Sequence, residues 1–224
     1  MTGMDLANLL RSAQHEAAER LAEPGDWLTG LQRIAAWNEV RDAAANPLDE
    51  ARQRAVSPFA VAGKHEATDH LGSTAVEVVH RVATDPGRLT RAWAERAIAE
   101  LGEETYTELV GVTAIATIID RFDLITSNSL RPLPMPVGGR PARIRPDDVG
   151  DVGAWVSQAV DKTRANVSRA LTLVPRTQSA WRPLVDSHYS RGPEFLTLVW
   201  DRAMSRPQVE LIAARTTALN ECFY

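Results

Sequence analysis

The chain contains one cysteine, Cys222, in 224 residues. That excludes an internal disulfide and with it a disulfide-stapled secreted fold. It has no apolar run long enough to cross a bilayer, so no membrane partner is expected. It has no excess of positive charge: the net charge of −4 argues against a nucleic-acid partner, which asks for a basic face. The first residues, MTGMDLANLLRSAQHE, lack a basic n-region, an apolar core and a cleavage site, and the expected compartment is the cytoplasm. Gly138-Gly139-Arg140 lacks the Gly-Lys-Ser/Thr ending of a phosphate loop and a strand before it. No nucleotide, flavin or haem signature is present, and no cofactor is expected.

What is present is ordinary globular composition, 44% hydrophobic and 24% charged, long enough for one large domain or two small ones. The periodicity is helical nearly throughout. Asp5 to Ala22 carries Leu6, Leu9, Leu10, Ala13 and Ala17 at helical spacing, closed by Pro24-Gly25. Trp27 to Ala44 groups Trp27, Leu31, Ile34 and Ala35 on one face. Pro47 suits the first turn of a short helix through Val56. Thr74 to Ala83 and Leu89 to Leu101 follow, with Asp85-Pro86-Gly87 as the turn between them. Glu103 to Ile125 contains an apolar run from Leu109 to Ile119 with no polar face, the mark of a buried helix.

Arg131 to Asp148 holds five prolines and two glycines and reads as a linker or surface arm. Beyond it, helices are expected near Val152 to Thr163, Ala165 to Leu173, Pro183 to Ser190, Pro193 to Met204, and over the C-terminal segment. No strand is compelling.

Among the five histidines, His65 and His70 lie near Asp69. The two are five apart, which misses the His-x-x-x-His spacing of helical zinc sites. The segment reads as a solvated loop, and no metal is expected. His188-Tyr189 is a pocket candidate without a place. Glu39 and Arg41 read as surface charge. The six tryptophans are spread as core and interface anchors.

The C-terminal segment, PQVELIAARTTALNECFY, opens with Ser205 as N-cap, Pro207 in the first turn and Gln208 completing a capping box. Val209, Ile212, Ala213, Thr216 and Leu219 give the expected buried stripe. Glu210 and Cys222 are twelve residues apart, about 18 Å along a straight helix. Spacing of that kind does not by itself define a site. As bland roles, Glu210 suits the positive end of the helix dipole and Cys222 a buried small hydrophobe.

This segment resembles the core of the alkylhydroperoxidase-D-like proteins of the carboxymuconolactone decarboxylase superfamily. Their redox-active members carry E-x11-C-x2-C-x3-H. Glu210 matches the glutamate and Cys222 the first cysteine, with E-L-I-A-A-R and A-L-N-x-C-x-Y around them. The second cysteine falls one position past Tyr224, and the histidine four beyond that. Three readings of this stand open: a fragment, a natural truncation, or a UGA codon for selenocysteine read as stop.

The resemblance implies an all-α protein and thiol- or selenol-dependent peroxide reduction or disulfide exchange. A chalcogenolate attacks a hydroperoxide oxygen, and a second thiol closes the resulting acid to a disulfide or selenenylsulfide. Cys222 is then the resolving thiol and Glu210 part of the proton relay. A hydroperoxide is the substrate, a thiol the reductant, and the chain a homo-oligomer. As written, lacking the attacking residue and the relay histidine, it is expected to be inactive or feeble.

Thr107 to Phe122 can be laid on Val209 to Tyr224 without gaps, with Glu108-Leu109 on Glu210-Leu211, Ala116 on Ala218 and Phe122 on Tyr224. The expectation is two tandem helical modules: a cysteine-free copy at 1–130, the Pro/Gly-rich linker at 131–148, and a second copy at 149–224. Two alternatives stay open. One is a non-catalytic helical module for self-association or partner binding. The other is a decarboxylase- or isomerase-type enzyme on the same fold.

Overall fold

The computed structural model describes residues 3–161, 163–188 and 203–219, and they are mostly helical. In order they form α1 (Gly3–Ala22), α2 (Gly30–Ala43), α3 (Pro47–Arg54), α4 (Ser73–Thr84), α5 (Arg91–Leu101), α6 (Glu103–Ser127), the strands β1 (Val149–Gly150) and β2 (Gln158–Ala159), then α7 (Asn166–Arg169), α8 (Pro175–His188) and α9 (Arg206–Leu219). The all-α expectation holds, with a single two-stranded antiparallel ribbon as the addition.

The long helix α6 is the axis. Leu109, Val112, Ile115, Ala116 and Ile119 are fully buried, so apolar residues on several sides of it meet a neighbour. Helices α1, α2, α4, α5 and α8 pack around it. Its threonines are tolerated at depth because Thr107, Thr113 and Thr117 donate their hydroxyls to the carbonyls of Glu103, Leu109 and Thr113 one turn earlier. Gly111 is required by the close passage of α8. A Cβ there would sit 2.7 Å from Thr177 Cγ2.

Helix α2 starts at a capping box not read from the sequence. Thr29 Oγ1 accepts the Gln32 N–H, and Gln32 Oε1 accepts the Thr29 N–H at 3.0 Å. Its buried face is Arg33, Ile34, Ala36, Trp37 and Val40, while Leu31, expected inside, is exposed. Arg33 Nη1 donates to the carbonyls of Arg20 and Glu23, supplying partners at the C-terminal end of α1 that the helix itself lacks.

Glu108 of α6 reaches into the corner between α1 and α2. Its Oε2 accepts the N–H groups of Trp27 at 2.5 Å and Leu28 at 3.1 Å, and Arg33 Nε stands 3.5 Å from Oε1. Burial pushes the Glu108 carboxyl above its ordinary range, against the pull of Arg33 and the Trp27 N–H. Gly25 completes this corner, since a Cβ there would lie 1.8 Å from Glu108 Oε1.

Helix α8 is capped from the far end of the chain. Asp26 accepts the N–H groups of Arg176 at 3.2 Å and Thr177 at 3.1 Å, across 150 residues in the first case. Ala180 and Leu184 of α8 share the core built by α1, α2, α4, α5 and α6. The proline-rich arm has no regular structure and runs over the same corner. Val137, Ala142 and Arg143 donate their N–H groups to the carbonyls of Ala22, Gly25 and Asp26.

Three expectations are corrected. The helix near Val152 to Thr163 is replaced by the β ribbon and bends, because Gly153 sits at φ +82° and Ala159 N–H is drawn to Thr172 Oγ1 at 2.8 Å. The helix expected to start at Pro183 instead starts at Pro175 and runs through Pro183. The helix expected over Ala165 to Leu173 is the single turn Asn166–Arg169. Most of the helix expected over Pro193 to Met204 lies outside the described residues.

Candidate functional site

Helix α3 is short, and its start is well specified. Asn46 Oδ1 accepts the Leu48 N–H and Pro47 occupies the first turn. That start fixes the rotation of the helix, so Asp49 and Arg52, three apart, both turn inward and are buried. On α4, Glu77 and His80 repeat the same spacing, and His80 is buried, as are Val76, Val78 and Val79 on the same helix. The loop 61–72 carries His65, anchored where Ser73 Oγ donates to the His65 carbonyl at 2.6 Å. Helix α2 contributes Glu39.

These six side chains form one continuous chain of contacts. Asp49 Oδ2 lies 2.6 Å from His80 Nδ1 and 3.2 Å from His65 Nε2. The outer nitrogens face carboxylates of their own, His65 Nδ1 at 2.7 Å from Glu77 Oε2 and His80 Nε2 at 3.0 Å from Glu39 Oε2. Arg52 Nη1 donates to both oxygens of Glu77 and Nη2 to the Gly63 carbonyl. The imidazole rings lie 4.1 Å apart between centroids. Asp49, His65 and His80 are all buried.

The electrostatics follow from the contacts. Burial pushes the Asp49 carboxyl up, but hydrogen bonds from His65 and His80 outweigh it and hold the pKa at about 2. Burial pushes His65 down, and its bonds to Asp49 and Glu77 reverse that, raising it to about 9. Glu77 is likewise held below its ordinary value by His65 and Arg52, against its burial.

Beside the cluster is a cavity of about 300 Å³, whose wall includes Arg52, Phe59, Lys64, Glu77, Arg81 and Trp93. Arg81 lies between Phe59 and Trp93, 5.1 and 5.8 Å from the ring centroids. The cavity and the cluster share Arg52 and Glu77 as a common wall.

The expected site residues fare differently. Cys222 lies outside the described residues, as does Tyr189. Glu210 is exposed on α9, with its carboxylate 3.5 Å from Arg206 Nε one turn earlier. The stripe Val209, Ile212, Ala213, Thr216 and Leu219 is not buried; no residue of α9 is. Glu108, laid on Glu210 by sequence, is by contrast fully buried. His188 stands at 3.0 Å from Gln14 Nε2, with Phe122 edge-on to its ring.

His65 is not in a solvated setting. It is buried, while Asp69 and His70 are exposed, and its partners come from two helices, Asp49 from α3 and Glu77 and Ser73 from α4. Glu39 and Arg41 are more than surface charge: Glu39 holds His80, and Arg41 pairs with both oxygens of Asp120 at 2.9 and 2.8 Å. The signal available in the sequence was the polar pair Glu77 and His80 on an otherwise apolar helix face. Nothing local pointed to Asp49.

Compared with known proteins, the chain matches no family model, no curated protein and no solved structure.

Proposed function

We propose that the chain carries a thiol- or selenol-dependent peroxidase or disulfide-oxidoreductase centre of the alkylhydroperoxidase-D-like type. Its substrate is a hydroperoxide and its reductant a thiol. The observation that carries this reading is the Glu210-x11-Cys222 spacing with its flanking residues. In the family it resembles, the residue at Cys222 resolves an acid formed on a second chalcogen. As the one thiol the sequence holds, Cys222 attacks the hydroperoxide itself. Its thiolate takes one oxygen as a sulfenic acid and releases the alkoxide, and the thiol reductant then closes that acid to a mixed disulfide with loss of water. Glu210 moves the protons. Its pairing with Arg206 is a surface one, with Glu210 57% exposed, and such pairs contribute little, so turning the carboxylate to a reacting group costs little. Separation along the helix means that the relay needs a further proton carrier between Glu210 and Cys222.

The test is oxidation of Cys222 by cumene hydroperoxide, trapped with dimedone and quantified by mass spectrometry. Labelling faster than that of a cysteine peptide, and slowed in Glu210→Gln, supports the reading. Labelling at the peptide's rate, unchanged in Glu210→Gln, sinks it.

A second reading, self-association, draws on α9 itself. Leu211, Ile212 and Leu219 are 71%, 53% and 66% exposed, an apolar surface of the kind that marks interfaces. Sedimentation should show an oligomer that Leu211→Glu dissociates; a monomer in both removes this reading.

A further inference from the structure

We propose that Asp49, His65 and His80 bind a divalent first-row transition-metal ion, with Asp49 Oδ2, His65 Nε2 and His80 Nδ1 as ligand atoms. The three atoms lie within 4.8 Å of one another. Ligands at about 2.0–2.2 Å from a tetrahedral ion stand roughly 3.3 Å apart. The contacts of 2.6 and 3.2 Å to Asp49 therefore need small adjustments to admit one.

The outer contacts point the same way. A metal-bound histidine characteristically gives its other ring N–H to a carboxylate, which fixes its tautomer and aims the remaining lone pair at the ion. His65 has Glu77 at its outer nitrogen and His80 has Glu39. If each outer nitrogen donates, both inner lone pairs point toward the same Asp49 oxygen, and only a cation or protons can fill that space. Without an ion, protons fill it, as the hydrogen bonds of both rings to Asp49 Oδ2 show; an ion would replace those protons. A single ion satisfies both rings and the carboxylate together.

An independent observation concerns the other oxygen. Asp49 Oδ1 is buried and has no hydrogen-bond partner, although buried polar atoms are rarely left unpaired. A carboxylate that binds an ion through both oxygens leaves none unpaired.

Two imidazoles and one carboxylate, with no thiolate, suit zinc, iron(II) or manganese(II) better than calcium or magnesium. None of the three ligands lines the neighbouring cavity, so the ion ties α3, α4 and the loop 61–72 together and does not meet a substrate.

The experiment uses the full chain, stripped with chelator and titrated with cobalt(II). The expected result is visible d–d absorption saturating at about one ion per chain, displaced by zinc, with a melting temperature raised by zinc. Asp49→Asn, His65→Leu and His80→Leu should each abolish the absorption. Cys222→Ser and Glu210→Gln should leave it unchanged. If a variant fails to fold, the wild-type titration decides. No absorption and no zinc-dependent rise in melting temperature overturns the proposal. So does a sulfur-to-cobalt charge-transfer band lost in Cys222→Ser, or a spectrum that survives all three ligand substitutions in folded protein.

Discussion

Replacing Glu108 by alanine removes a carboxylate for which the corner between α1 and α2 has no substitute. Two backbone N–H groups, those of Trp27 and Leu28, lose their acceptor, and hydrogen bonds to charged groups contribute about 1.5–3 kcal/mol each. The partner charge, Arg33, is 2% exposed at its side chain and 3.5 Å away. At such a range the attraction is roughly 4 kcal/mol in a moderately polar interior. Against it stands a desolvation cost of several kcal/mol for each ion. The intact pair is thus close to neutral, but removing one member strands the other.

Arg33 also keeps its bonds to the carbonyls of Arg20 and Glu23, so the stranded charge stays where it is. Glu108→Ala should therefore lose about 3–5 kcal/mol, a large share of the ~5–15 kcal/mol typical of a folded domain. Glu108→Leu combined with Arg33→Met removes both charges. It should be more stable than the sum of the single losses implies, with a coupling on the order of 2 kcal/mol. Urea unfolding followed by tryptophan fluorescence and circular dichroism measures each variant, with m-values compared to exclude a changed denatured state. A Glu108→Ala loss below about 1 kcal/mol, or single losses that simply add, refutes the reasoning.

Two further outcomes are expected. Gly111→Ala forces the new methyl against Thr177 and should cost about 1–3 kcal/mol, with part of the loss recovered in Gly111→Ala/Thr177→Ser; equal stability of Gly111→Ala and wild type counts against the α6–α8 approach. Hydrogen bonds from Arg131 hold Asp123 below its usual value of 3.8. Its stabilising contribution is therefore present above that value and lost as pH falls through the lowered one, so the stability gap between wild type and Asp123→Asn should narrow as the pH is taken below 3.8; a constant gap contradicts this.

Helix α6 was legible because an apolar run without a polar face has only one soluble solution, burial on all sides. The break at Pro86 and the start at Pro47 were legible because proline's constraint is local. The start of α8 was not. A proline normally signals a helix beginning, but Ala180 and Leu184 have a core to enter, and that packing carries the helix across Pro183. The β ribbon was missed for a related reason. Trp155, Val156, Ala159 and Val160 fit a helical face, yet the acceptor that fixes Ala159 is Thr172, thirteen residues on. The His65–His80 cluster depends on four segments meeting, and no spacing within one segment encodes that.

The cap that Asp26 places on α8 has a consequence for the order of events during synthesis. A ribosome delivers α1 through α6 long before Arg176 and Thr177 exist. Until they emerge, α1 has no α8 to cover its flank, and the Asp26 carboxylate has no helix end to bind. Once they emerge, the first corner made becomes the template on which the late helix starts. The early part of the chain thus waits with one side open, and closing that side over a 150-residue separation is a late, entropically costly step.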